Sequence, residues 1–184
     1  NIVKDFAIKA IDKVQNNTPY STIRADGSGV KAAGDYMTGE TITHPGKGSG
    51  GDINSLPSAN GSGWKAMKDV ILGAAKMVGV DPKMLASIAA IESNFNPTAR
   101  PINKATGQAY SSATGLFQFI SDTWNSMIKK YGAKYGIAIG TPPTDPRANA
   151  LMGAEFIKDN VSYLKGKLKR ALTATDIYIA HFLG

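Results

Sequence analysis

The 184-residue chain contains no cysteine. That excludes disulfides, a thiolate nucleophile and every cysteine-ligated zinc or iron-sulfur site. Histidine is almost as scarce, with only His44 and His181 far apart in the sequence. A zinc hydrolase would have to complete its ligand set from those two and from carboxylates, so no metal and no cofactor is expected. No apolar run approaches the ~18 residues of a membrane span, and the first residues lack the basic, apolar and small-residue order of a secretory signal. Strand signals are missing as well: no segment alternates apolar and polar residues convincingly, and no internal repeat is visible.

The rest of the composition is that of a globular protein, with 42% hydrophobic and 19% charged residues, which sets aside disordered and fibrous classes. The net charge of +7 is unevenly placed. Residues 1–63 hold six charges of each sign, whereas 64–184 hold fifteen basic and eight acidic residues. A basic domain meets polyanions readily, among them nucleic acid, anionic lipid and the anionic bacterial envelope. No zinc-finger spacing or aromatic RNA-binding motif is present, so no specific nucleic-acid partner is expected.

Three regions follow from the patterning. Residues 1–16 place Ile2, Val3, Phe6, Ala7, Ala10, Ile11 and Val14 at helical spacing between lysines and aspartates, which predicts an amphipathic helix. Residues 17–63 lose the periodicity and read as a Gly/Ser-rich linker or extended arm, since ten of the twenty glycines fall within the first 63 residues. Gly46, Gly48 and Gly51 match a dinucleotide fingerprint only formally, because Pro45 precedes them and no βαβ unit surrounds them.

From Trp64 onward the sequence predicts a mainly α domain over 64–184. A first helix runs from about Trp64 to Val78. Asp81-Pro82 and Asp145-Pro146 each give an N-cap followed by a first-turn proline. Ser121 is expected to cap a helix bearing Trp124, Met127, Ile128 and Tyr131, and Thr173-x-x-Asp176 resembles a capping box for a last helix.

On the helix that starts at Pro82, Leu85, Ile88 and Glu92 are three and four residues apart, so the carboxylate extends the stripe that faces the core. An acid among apolar groups has its charged form disfavoured and its pKa raised, as in a general acid. The alternative at this point is a carboxylate at a helix end that turns to solvent.

Glu92 opens ESNFNPTA, followed downstream by SSATGLFQF and then by DIYIAHFLG. The pair ES-x-F-N-P-x-A and G-L-x-Q resembles the lytic transglycosylases of the soluble type, which share the lysozyme-like fold with goose-type lysozyme. The blocks SSATG-x-FQF, DPR-x-x-ALMGAE and Tyr-x-Ala-His-Phe are most similar to the catalytic domains of giant-phage endolysins and virion proteins. The likeness covers roughly 64–184 and implies a lysozyme-like helical fold and peptidoglycan as substrate.

Carried over by residue, the resemblance makes Glu92 the single catalytic acid and base. Gly115, Phe117 and Gln118 match the segment lining the glycan groove, and Ser111 or Ser112 matches the serine near the reacting sugar. Tyr178 and His181, three apart on one helix, are expected beside Glu92. His181-Phe182 replaces the usual Tyr-Asn pair, which leaves open which group holds the substrate acetamide. Tyr131 and Tyr135 are candidates for sugar stacking or plain core aromatics.

Most glycosidases need two carboxylates. The resemblance implies one, with the substrate's acetamide and 6-hydroxyl doing the rest. The rivals are a goose-type hydrolytic muramidase in which Asp122 activates water, and a non-catalytic, glycan-binding or structural virion protein. Asp122 also reads as an acid favouring a helix dipole. The chain begins at Asn1 and stops at Gly184 inside the third block, so both ends read as unfinished. The expected setting is a phage virion acting on the periplasmic cell wall, with 1–16 docking on another copy or another phage protein. The alternative is an endolysin made in the host cytoplasm.

Overall fold

A computed structural model describes residues 41–42, 61–168 and 170–183. The expected amphipathic helix over 1–16 and nearly all of the expected linker lie outside the described residues. The described elements are β1 (Thr41–Ile42), α1 (Ser62–Val78), α2 (Pro82–Ser93), α3 (Ser121–Tyr131), a 3-10 turn (Gly132–Tyr135), α4 (Pro146–Lys167), β2 (Leu172–Thr173) and α5 (Ala174–Leu183). The domain is mainly α, with one small antiparallel ladder that pairs Thr41 with Thr173 and Ile42 with Leu172. Two residues of the stretch expected to be linker therefore belong to a strand.

Helix α4 is the axis of the fold. Every residue from Ala148 to Ile157 is buried, and α1, α2, α3 and α5 all pack against it. Small residues make this geometry available: Ala148, Ala150, Gly153 and Ala154 let neighbours approach on several sides, as befits a stretch of helix buried all round. Around it, α1 contributes a stripe of Trp64, Ile71, Ala74, Ala75 and Val78, and α2 contributes Met84, Leu85, Ile88 and Ala89.

The helix starts follow simple capping chemistry. The Asp81 carboxylate accepts the Met84 N–H at 2.9 Å, and that of Asp145 accepts the Ala148 N–H at 2.7 Å. Thr173 and Asp176 form a reciprocal pair, with Asp176 N–H donating to Thr173 Oγ1 at 3.2 Å and Thr173 N–H to Asp176 Oδ2 at 2.8 Å. Arg170 forks onto the same buried carboxylate at 2.7 and 3.0 Å. Burial alone would raise the Asp176 pKa, but the bonds from Arg170 and Thr173 outweigh it and hold the carboxyl below its ordinary value.

Ser121 is a correction. It does not cap α3: Ile120 stands at the N-cap and offers no side-chain acceptor. The orphan Ser121 N–H instead donates to Ser112 Oγ at 3.2 Å, a serine nine residues upstream.

The KKYGAKY segment clamps α3 and the 3-10 turn onto α4. Tyr131 Oη donates to Asp159 at 2.6 Å and Lys130 Nζ at 2.8 Å. One turn earlier on α4, Glu155 receives Lys134 Nζ at 2.6 Å and the Tyr135 hydroxyl. Each Lys-Tyr dipeptide thus grips one acid.

Candidate active site

A cleft of about 770 Å³ opens where the end of α2, the loop before α3, α4 and α5 converge. Glu92, in the last turn of α2, is the one Asp or Glu among the described residues that lines it. The helix sets the carboxylate behind Leu85 and Ile88, both fully buried, and then breaks abruptly. Asn94 and Phe95 adopt left-handed φ values of 49° and 62°. Their N–H groups close the helix on the carbonyls of Ala90 at 2.9 Å and Ala89 at 3.3 Å. Holding a bulky residue such as Phe95 there costs about 1–2 kcal/mol. Its ring is buried against Trp64 with centroids 5.1 Å apart, and burial of that size contributes about 2–3 kcal/mol in return. The chain consequently turns away directly after the acid and leaves it at the cleft.

Burial pushes the Glu92 carboxyl from 4.5 up to about 7. No hydrogen bond among the described residues stabilises its ionised form. Tyr178 on α5 stands within electrostatic reach: burial first, and the negative charge of Glu92 second, push its hydroxyl up to about 12. His181, one turn further along α5, lines the cleft. Its ring is enclosed by Phe156, Phe117 and Phe119 at centroid distances of 5.5, 6.3 and 6.5 Å. Burial drives its pKa down to about 4, against a smaller opposing effect from a hydrogen bond with the Phe117 main chain. The imidazole is therefore neutral near pH 7, and its Nδ1 has no hydrogen-bond partner among the described residues.

The G-L-F-Q segment is built as a rigid turn. Gly115 has φ 89°, and a Cβ there would stand 2.3 Å from the Pro143 carbonyl and 2.4 Å from Asn149 Nδ2, so only glycine fits. Buried Asn149 accepts the Phe117 N–H at 3.0 Å and donates to the Pro143 carbonyl at 2.7 Å. The Phe117 ring lies on Gly153 of α4, where a Cβ would meet ring atoms at 2.7 Å. Gln118 lines the cleft, but its Nε2 is committed to the carbonyls of Ala99 at 3.0 Å and Gly115 at 2.8 Å. Only its Oε1 is left to meet a ligand.

The residues singled out in the sequence therefore divide. Glu92, Ser111, Phe117, Gln118 and His181 line one cleft, with Tyr178 beside Glu92. Ser112 is turned toward the start of α3, and Gly115 is buried in the turn. Tyr131 and Tyr135 do not line the cleft, because their hydroxyls are engaged by Asp159 and Glu155 on α4. Asp122 is exposed in the first turn of α3 and is not among the lining residues either. Sequence reasoning missed Arg100, Tyr110, Phe119 and Phe156, all of which line the cleft. The signal for the first two was a turn, Asn103 to Gly107, between Ile102 and Ala109. Among the described residues no group of three His, Asp or Glu side chains is placed to hold a metal ion.

A helical domain that presents one desolvated acid at a helix end, on the floor of an open cleft, has the makings of a glycan-cleaving enzyme of the lysozyme-like class. Residues 69–176 match the family model described as the transglycosylase SLT domain. The chain belongs to that family, which comprises lytic transglycosylases acting on peptidoglycan.

Proposed function

We propose that this enzyme cleaves the β-1,4 bond between N-acetylmuramic acid and N-acetylglucosamine, leaving a 1,6-anhydromuramyl end, with Glu92 as its single acid and base. The observation that carries the reading is the isolation of Glu92: among the described residues it is the one carboxylic acid in the cleft, and it holds its proton up to about pH 7. Protonated Glu92 gives its proton to the bridging oxygen as the bond to the muramyl anomeric carbon breaks, and the substrate's own acetamide supports that carbon. Glu92, now a carboxylate, takes the proton of the muramyl 6-hydroxyl, whose oxygen closes onto the same carbon. The proton taken replaces the proton given, and no water enters.

The surrounding groups suit that sequence. The Tyr178 hydroxyl, raised by burial and then by the nearby Glu92 charge, stays protonated through the half-cycle in which Glu92 is a carboxylate. Neutral His181 avoids an ion pair that would hold Glu92 ionised. Phe117, Phe119 and Phe156 keep the floor apolar, and Ser111 with Gln118 Oε1 provides hydrogen-bonding positions for sugar hydroxyls and amides.

Glu92→Gln and Asp122→Asn, compared with the wild type on purified cell walls, test the single-acid reading. The first change should abolish clearing with an unaltered helical circular-dichroism spectrum, and the second should keep most activity. Equal damage from both would restore a two-carboxylate mechanism.

The same reading extends to a bacteriophage source, supported by the likeness of the three sequence blocks to giant-phage domains, with residues 1–16 docking the enzyme to a virion component or a second copy. Mass spectrometry of purified particles tests this. Absence from particles, with release only at lysis, would mark an endolysin instead.

A further inference from the structure

The segment between Glu92 and the G-L-F-Q turn forms a hairpin. Tyr110 N–H donates to the Pro101 carbonyl at 3.2 Å, Asn103 N–H donates to the Gln108 carbonyl at 2.8 Å, and Ile102 bridges Ala109 between them. The turn is closed by Asn103, whose carbonyl accepts Gly107 N–H at 2.7 Å and whose side chain accepts Ala105 N–H at 2.9 Å. This pairing fixes Arg100 and Tyr110 at the hairpin's base, where both line the cleft that contains Glu92.

Both side chains are underused by the fold. Tyr110 is 75% exposed, makes no ring contact and has no hydroxyl partner among the described residues. A lone exposed aromatic is ordinary on a surface; one on the wall of a catalytic cleft that a second exposed apolar residue, Ile120, also lines is a platform. Arg100 is the one Lys or Arg in the lining among the described residues. Its Nε reaches Thr114 Oγ1 at a long 3.4 Å, and its terminal nitrogens have no acceptor among the described residues. Arg100 is not the partner of Glu92 either, since burial alone sets the state of that carboxyl.

We propose that Arg100 and Tyr110 form a saccharide subsite for a carboxylate-bearing pyranose, the aromatic face taking the sugar's C–H face and the guanidinium fork taking the carboxylate. In a peptidoglycan strand that sugar is the muramyl residue, its carboxylate being either the free lactyl group or a group of the attached peptide. The proposal rests on the peptidoglycan reading above and adds to it the residues that recognise the anionic sugar. An equatorially substituted hexosamine presents an apolar C–H face suited to an aromatic ring, and a planar fork matches a carboxylate better than a point charge does.

The test measures binding by calorimetry on the full chain carrying Glu92→Gln, so that nothing is cleaved. Three ligands are compared: amidase-stripped glycan strands, which bear lactyl carboxylates; stem-bearing strands; and chitohexaose, which bears no carboxylate. Tyr110→Ala should weaken all three by about ten-fold, and Tyr110→Phe should restore binding. Arg100→Gln should weaken the anionic strands by about ten-fold and leave chitohexaose unchanged. Dependence on Arg100 with stripped strands assigns the lactyl carboxylate, and dependence with stem-bearing strands alone assigns the peptide. The subsite is overturned if Tyr110→Ala binds like its parent, if Tyr110→Phe fails to rescue, or if Arg100→Gln affects neither anionic ligand or all three equally. Because no product is formed, a hydrolytic outcome for the wild type would refute the proposed reaction and leave this subsite standing.

Discussion

The side-chain amide of Gln118 donates to the main-chain carbonyl of Ala99 at 3.0 Å. Ala99 closes the block that begins with Glu92, and Gln118 closes the turn that begins with Gly115, so one side chain ties together the two loops bordering the acid. The Ala99 carbonyl also accepts Gly115 N–H at 3.0 Å, and Gln118 holds the Gly115 carbonyl at 2.8 Å. The glutamine that sequence reasoning assigned to the glycan is thus a brace for the cleft, with only Oε1 left for substrate.

Gln118→Ala removes both side-chain bonds and should cost about 1–3 kcal/mol of stability, the sum of two hydrogen bonds worth about 0.5–1.5 kcal/mol each, while both carbonyls keep a main-chain donor. Cell-wall clearing should fall by more than ten-fold while the secondary structure persists. Thermal unfolding and a turbidity assay read the two effects. A stable, fully active Ala variant would show that the brace is dispensable.

Gly153→Ala puts a methyl group 2.7 Å from the Phe117 ring. That ring is buried and the Phe117 main-chain N–H is fixed by Asn149, so the strain cannot be relieved by a rotation into solvent. Overpacking of this kind costs about 1–3 kcal/mol. In a Phe117→Ala background, itself destabilised by the loss of a buried ring, the further change Gly153→Ala should cost less than it does in the wild type, which differential scanning calorimetry of the single and double variants resolves.

Much of this was legible in the sequence because it depends on local chemistry. Asp81-Pro82 and Asp145-Pro146 state their helix starts outright, and the spacing of Leu85, Ile88 and Glu92 states which way the acid points. Ser121 misled because its N–H is satisfied through space by Ser112, and capping from a distant loop leaves no local pattern. Tyr131 and Tyr135 left two readings open for a related reason: their acids, Asp159 and Glu155, lie on another helix. Arg100 and Tyr110 escaped notice because nothing in a single sequence says which side of a hairpin faces a cleft.

The raised pKa of Glu92 has a definite pH signature. In the unfolded chain the group ionises near 4.5, whereas in the folded chain it keeps its proton to about 7. Between those values the folded state binds more protons, so this group's contribution to stability is full below 4.5 and is lost as pH rises to about 7. His181, lowered to about 4, works with the opposite sign, adding stability as pH rises from 4 to its unfolded value near 6.5. Subtracting wild type from Glu92→Gln isolates the first effect: the variant's advantage in Tm should grow from pH 4.5 to 7 and then level off. A flat difference would mean that the carboxyl is not desolvated. On the same basis wild-type kcat/KM should decline above about pH 7, as the acid loses its proton.

The product of cleavage tests the central claim most directly. Purified peptidoglycan digested in water enriched in oxygen-18, and analysed by mass spectrometry, should give muropeptides ending in 1,6-anhydromuramic acid that carry no label at the cut. Products one water heavier, with a labelled reducing end, would contradict the account and mean that a second group delivers water to the anomeric carbon.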